Sequence, residues 1–172
     1  MDTINIETYP LHDPKSQVYK ALVKKCRTDL NEHGLFNLPG FMRPEALNKV
    51  LKQIKPIIVK DSFEHRRHHN IYFKKSIPGL EKNHPALQSL QTINHTICAD
   101  QIEGSAITKL YDWGPLASFL ADVMHKDTLH KMDDRIAGAN VMTYYEGEAL
   151  SWHFDRSEFT TTILLQAPNS GG

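Results

Sequence analysis

The residue pattern of this chain changes near residue 127, and that change limits the folds it can adopt. Before it, apolar residues recur at helical spacing; after residue 134, three β-rich runs follow at 139–145, 149–155 and 158–166. The last run, EFTTTILLQ, is dense in β-branched and aliphatic residues, which predicts a largely buried strand. We therefore expect an α+β fold in one domain, with a mainly helical part at 1–126 and a β part at 127–172.

Four helices are predicted. The first covers residues 13–33 and stops at Gly34, and the second begins at Pro44 and is expected to end at Pro56. The others are predicted at 85–99 and 115–125. The residues expected to form their apolar faces are Val18, Leu22, Cys26, Leu30, Leu47, Val50, Leu51, Ile54, Leu116, Phe119, Leu120, Val123 and Met124.

Composition excludes some classes of function. The 20 lysines and arginines balance 20 aspartates and glutamates, so no field of one sign would attract nucleic acid or a membrane surface. The N-terminus has no signal-peptide pattern, and no stretch approaches the roughly 20 apolar residues of a membrane span. We expect a cytoplasmic protein in which Cys26 and Cys98, both in segments predicted to be helical, are reduced thiols.

One pair of residues indicates chemistry. On a strand, His153 and Asp155 point to the same face, so an imidazole and a carboxylate can bind one metal ion. These are two of the three ligands of the facial triad in non-haem Fe(II) oxygenases. A second His-x-Asp, His125-Lys126-Asp127, falls at a predicted helix end, where residues two apart do not share a face, and we interpret it as a chance copy.

The residues around this pair resemble a known family. The run VMTYYEG at 141–147, then WHFD at 152–155 and FTTTILLQ, resembles the first strands of the double-stranded β-helix (jelly roll) of Fe(II)/2-oxoglutarate-dependent dioxygenases. WHFDRSEFTTTILLQ, with NLPGF upstream, is similar to the branch containing free amino acid hydroxylases and radical halogenases of lysine-like substrates. The resemblance implies N-terminal helices packed on a jelly roll.

The resemblance also implies an activity. Fe(II) and 2-oxoglutarate would be the cofactors, and the enzyme would use dioxygen to hydroxylate a small molecule such as a lysine-like amino acid. In the halogenases of this branch a small residue replaces the aspartate and leaves room for chloride. Because this chain has Asp155, we expect hydroxylation.

The family takes a third iron ligand, a histidine, and an arginine that pairs with 2-oxoglutarate from late strands of the jelly roll. Only 17 residues follow Asp155, so we expect only the first strands here and a truncated enzyme. A longer form, a partner chain such as a second copy, or an unusual upstream histidine would then complete the site.

Weaker candidates surround the metal pair, and each has a plainer interpretation. For 2-oxoglutarate they are Tyr144, Thr160 and Thr162, which are equally well explained as a core aromatic and as strand-forming threonines. For substrate they are Arg66 and Arg67, whose fork suits a carboxylate but whose surroundings, residues 65–70, favour a solvated loop. Trp152 is expected either to exclude water beside the ligands or to be an ordinary core residue.

Two other functions stay open. A cupin-type metal enzyme would explain Gly147 followed at a distance by His153, although a cupin usually has histidine where this chain has Asp155. A non-catalytic interaction module would explain a β-layer too short to complete an enzyme site, because its unpaired edge would need a covering partner.

Overall fold

The computed structural model describes residues 2–155 and 157–170. Four α-helices lie in this part: α1 (Gln17–His33), α2 (Pro44–Asp61), α3 (Ala106–Tyr111) and α4 (Gly114–Val123). Three strands form an antiparallel sheet in the order β1 (Phe63–His69), β2 (Leu90–Ile97) and β3 (Val141–Thr143). The α+β class is therefore confirmed. None of the described helices is long and apolar enough to cross a membrane.

The described chain divides into two compact units. One comprises Met1–Pro56 with Cys98–Asn140, and the other comprises Ile57–Ile97 with Val141–Gly172. The first has an apolar core formed by α1, α4 and the N-terminal segment, in which the ring of Phe119 is fully buried and lies edge-on to Tyr19 at 5.9 Å. The second contains the sheet and the candidate metal ligands.

Helix α1 begins and ends at the residues its sequence indicates. The Ser16 side chain accepts the Tyr19 N–H at the start, and Gly34 adopts the left-handed conformation (φ 73°) at the end, where a side chain would be strained. Its buried face is offset from the predicted one, because Tyr19 and Val23 are buried and Val18 is exposed. Cys26 lies in this core as predicted, and burial raises the pKa of its thiol to about 11.

Helix α2 corrects a prediction, because it continues through Pro56 to Asp61. A proline has a helical φ, and although it removes one backbone hydrogen bond and crowds the carbonyl four residues earlier, it disfavours an interior helical position without excluding it. The predicted apolar face of α2 is confirmed at Val50 and Ile54, which are buried.

The sheet corrects two further predictions. The helix predicted at 85–99 is instead a short 3-10 turn at Pro85–Leu87 followed by β2, so Cys98 follows a strand and is not part of an α-helix. The predicted loop at 65–70 is mostly β1, which pairs with β2 from Phe63 opposite Thr96 to His69 opposite Leu90. Apolar residues of β2 happen to recur at helical spacing, but its many β-branched residues and its two partner strands favour a strand.

The β-rich runs at the end of the chain are less regular than predicted. The run at 139–145 contains only β3, and in the described residues neither 149–155 nor 158–166 forms a strand. The prediction of a buried strand at 158–166 is wrong, since Ile163 and Leu164 are exposed. A strand needs a neighbour to pair with its backbone, and the described chain offers this run none.

Candidate metal site

The segment that carries His153 is held beside β2 and the loop after β1. The Ile93 N–H donates to the Ala149 carbonyl (3.1 Å), and the Ser151 hydroxyl donates to the Gln91 carbonyl (2.6 Å). On the other side of His153, the Phe154 N–H donates to the Ile71 carbonyl (3.0 Å). Residues 149–155 are not a regular strand, but these three hydrogen bonds fix the backbone on both sides of the histidine.

Hydrogen bonding selects one tautomer of His153. Its Nδ1 lies 2.7 Å from the Ser151 carbonyl oxygen, which can only accept, so Nδ1 carries the proton and donates. The lone pair of a neutral imidazole is then on Nε2. Histidines that bind metals show this arrangement, in which the second ring nitrogen donates to a carbonyl or carboxylate and fixes the ring.

The Nε2 atom of His153 faces the Asp155 carboxylate. Asp155 Oδ1 lies 3.1 Å from His153 Nε2, while Oδ2 accepts a 2.6 Å hydrogen bond from the Thr160 hydroxyl. An ionised carboxylate has no proton to donate, so the two atoms are compatible only if a cation lies between them. That cation is either a proton on Nε2 or a metal ion bound by both atoms.

The donor set and its spacing fit a metal ion. A histidine nitrogen and a carboxylate oxygen each bind a divalent transition metal at about 2.1 Å, which places them about 3.0 Å apart when the two bonds are at right angles. The observed separation is 3.1 Å. The sequence prediction that His153 and Asp155 point to one side therefore holds in this geometry, although the segment is not a strand.

Aromatic rings form one wall beside His153. The Phe73 ring lies 5.8 Å from the His153 ring and stacks on His69 at 4.6 Å. Phe73 adopts φ 54°, a conformation that a bulky residue rarely accepts, and the Asn70 carbonyl holds it by accepting the Phe73 N–H. Backbone strain of this kind is often found at functional sites, where the surrounding structure maintains it.

His69 is close to the pair but is not placed as a third ligand. Its ring lies 6.1 Å from that of His153, and both of its nitrogens have protein partners, the Asn70 carbonyl and the Thr92 hydroxyl. Throughout residues 2–155 and 157–170, no group of three or more histidine, cysteine, aspartate or glutamate side chains is placed to hold a metal ion. Within the described residues, the candidate site therefore consists of His153 and Asp155 alone.

The two arginine candidates separate onto opposite faces of β1. Arg66 is paired with Glu64 (2.7 Å), and this hydrogen bond lowers the pKa of the Glu64 carboxyl. The Arg67 guanidinium lies over the Phe73 ring, 4.9 Å from its centre, on the face that also bears His69. Of the two, Arg67 is the one that lies toward the metal pair.

Among the described contacts, three other candidates make no hydrogen bond to His153 or Asp155. The Tyr144 hydroxyl donates to the Met142 sulfur (3.6 Å), and partial burial raises the pKa of this phenol. Thr162 is exposed. Trp152 has 83% of its surface exposed, so the expectation that it packs beside the ligands and excludes water is wrong.

Sequence reasoning missed Ser151 and Phe73. Ser151 orients the His153 ring through its backbone carbonyl, which any residue possesses, so no side-chain pattern identifies it. Phe73 lies 80 positions before His153 and reaches it through the turn built on Asn70. The asparagine before an aromatic run is a usable turn signal, but it does not indicate what the turn contacts.

No family model, no curated protein and no solved structure matches this chain in the comparisons we made.

The hydrogen bond from Thr160 predicts an effect on metal affinity. Thr160→Val removes the donor to Asp155 Oδ2, so the carboxylate is less well oriented and Co(II) should bind about tenfold more weakly. Thr162→Val makes the same change at an exposed position nearby and should leave affinity within about twofold, with Co(II) calorimetry as the measurement. Equal affinities in the two variants would contradict the role given to Thr160.

Proposed function

We propose that this chain carries the iron-binding part of an Fe(II)/2-oxoglutarate-dependent oxygenase that hydroxylates a small molecule, a free amino acid of the lysine type. The observation that carries the proposal is the 3.1 Å separation between His153 Nε2 and the Asp155 carboxylate, which a metal ion bound by both atoms would account for, with Nδ1 held by a backbone carbonyl. The sequence resemblance around WHFD supplies the choice of iron, 2-oxoglutarate and the jelly-roll family.

When bound, Fe(II) and 2-oxoglutarate supply dioxygen activation: one oxygen atom enters the substrate C–H bond as hydroxyl, and the other enters succinate as 2-oxoglutarate loses CO₂. The chain's own residues would hold the metal and orient the side chains that bind it. His153 and Asp155 hold the metal, Ser151 and Thr160 orient these two side chains, and Phe73 packs against the imidazole. With two protein ligands from this part of the chain, the metal would also bind the 2-oxoglutarate, dioxygen and the third protein ligand that the family resemblance implies.

Arg67 is the side chain proposed to recognise the substrate carboxylate. A guanidinium that stacks on an aromatic ring keeps its N–H edge available for a two-pronged hydrogen bond to a carboxylate. Arg66 donates its Nε–H to Glu64 and lies on the other face of β1. For the 2-oxoglutarate, Thr160 contacts the metal pair directly, whereas the Tyr144 hydroxyl bonds the Met142 sulfur and Thr162 is exposed.

A non-catalytic interaction module is the second candidate, and a specific observation favours it. Trp152 and Phe154, which flank His153 in the chain, are both mostly exposed. Apolar side chains of this size in one region are typical of surfaces that a partner covers.

Product formation tests the oxygenase proposal. Supplied with Fe(II), 2-oxoglutarate, dioxygen and L-lysine or a homologous basic amino acid, the chain should form succinate and a hydroxylated amino acid, both measured by mass spectrometry. Asp155→Ala removes a metal ligand and should lower the rate at least 100-fold, and Asp127→Ala, in the other His-x-Asp, should leave it unchanged. Folded protein that forms no succinate above the buffer level would favour the interaction module.

The two arginines predict different effects on substrate affinity. Arg67→Ala should weaken binding of the amino acid about tenfold or more, because a charge-assisted hydrogen bond is worth about 1.5–3 kcal/mol. Arg66→Ala should change it less than twofold. Calorimetry of the metal-loaded protein measures both, and equal losses in the two variants would contradict the assignment to Arg67.

A further inference from the structure

A second group of polar residues lies just before the metal segment, on the face of the sheet that bears Arg66. The Glu148 carboxylate makes two contacts: Oε1 lies 3.2 Å from His95 Nε2, and Oε2 accepts the Tyr145 N–H at 2.9 Å. Both side chains are mostly buried, with 14% of Glu148 and 20% of His95 exposed. The Tyr145 ring packs edge-on against the His95 ring at 4.7 Å. These contacts attach a turn of the chain to the central strand of the sheet.

The turn is compact and its geometry requires glycine. Gly147 has φ 80°, and the Glu148 N–H donates to the Tyr145 carbonyl (3.0 Å) to close the turn. Strand β3 ends at Thr143, opposite His95, and the chain meets β2 again at Ala149, whose carbonyl accepts the Ile93 N–H. The turn therefore interrupts the contact with β2, and the Glu148–His95 pair lies where that contact resumes.

The charges around His95 come from two neighbouring elements. Glu64 of β1 lies opposite His95 in the sheet register, and Arg66, which pairs with Glu64, shares that face. On the other side, Glu148 belongs to the turn, and Thr143 of β3 is uncharged. A ring nitrogen of His95 donating to Glu148 satisfies a carboxylate that is otherwise largely removed from water.

The order of contacts along the chain connects this pair to the metal ligands. Glu148 contacts His95, Ala149 contacts Ile93, and Ser151 contacts Gln91, so these three residues of the segment meet every second residue of β2. Ser151 is also the residue whose carbonyl fixes the His153 ring. Because the Phe154 N–H is bound to the Ile71 carbonyl, a shift of residues 149–151 alone along β2 would change the position of that carbonyl relative to His153 Nδ1.

We propose that His95 and Glu148 are positioning residues of the metal site, which act by setting the register of residues 149–151 on β2 and, through the Ser151 carbonyl, the orientation of His153. This inference rests on the proposed function, because it concerns the same metal pair. It assigns a role to two residues that touch neither His153 nor Asp155.

The test compares two glutamates of the same turn. Glu148→Ala removes the contact with His95. Glu146→Ala removes an exposed carboxylate two residues earlier and serves as the matched control. With Co(II) alone as the probe, calorimetry should show about tenfold weaker binding for Glu148→Ala and a change below twofold for Glu146→Ala. Glu148→Gln, which keeps an oxygen for the Tyr145 N–H, should recover most of the affinity.

A second readout does not depend on the metal. The Ile93 amide is protected from hydrogen exchange by the Ala149 carbonyl, and in the metal-free protein its exchange should be at least tenfold faster in Glu148→Ala than in Glu146→Ala. His95→Gln should match Glu148→Ala in both measurements, and the double variant should be no worse than either single one, because the two residues act as a unit. Circular dichroism checks that each variant is folded.

The outcomes separate the two proposals. Unchanged Co(II) affinity and unchanged Ile93 protection in Glu148→Ala would overturn the positioning role and leave the oxygenase proposal intact. If Glu148→Ala weakens Co(II) binding as expected but the wild-type protein forms no succinate, the oxygenase proposal is overturned and the positioning role remains. Wild-type protein that binds no Co(II) would overturn both.

Discussion

The candidate site depends on one hydrogen bond, from His153 Nδ1 to the carbonyl of Ser151 two residues earlier. It places a proton on Nδ1, away from Asp155, so that Nε2 and the carboxylate face each other at 3.1 Å and need a proton or a metal ion between them. Without it, His153 and Asp155 would form an ordinary hydrogen bond between a ring N–H and a carboxylate. The local backbone thus converts a common pair of polar residues into a pair that favours a bound cation.

Strand β2 provides the support for that geometry. As the central strand, it pairs with β1 on one side, and on the other with β3 and then with residues 149–151. Segment 71–73, after β1, contacts the metal segment from a different direction, with Ile71 accepting the Phe154 N–H and Phe73 packing on the His153 ring. Two tethers from separate parts of the chain restrict His153 more than either would alone.

The sequence predicted helices α1, α2 and α4 better than the sheet. Helix α1 has a serine cap and a glycine stop, and both α1 and α4 have a repeated apolar face; these local signals are present before any tertiary contact forms. Strand β1, FEHRRHH, has no apolar alternation, and only its pairing with β2 makes it a strand. Ser151 acts through its backbone carbonyl, and Phe73 contacts His153 from a distant part of the chain, so residue identity gave no indication of either role. Conversely, the β-propensity of residues 158–166 predicted a strand for which the described chain has no partner.

The most direct test of the metal pair is an anaerobic titration of the chain with Fe(II) and 2-oxoglutarate, followed by visible absorption. Chelation of Fe(II) by 2-oxoglutarate produces a metal-to-ligand charge-transfer band only when the protein holds the iron. We predict a saturable band for the wild-type chain and for Asp127→Ala, and no band for Asp155→Ala. A wild-type chain with no band, or an Asp155→Ala chain with an unaltered one, would contradict the assignment of His153 and Asp155 as iron ligands.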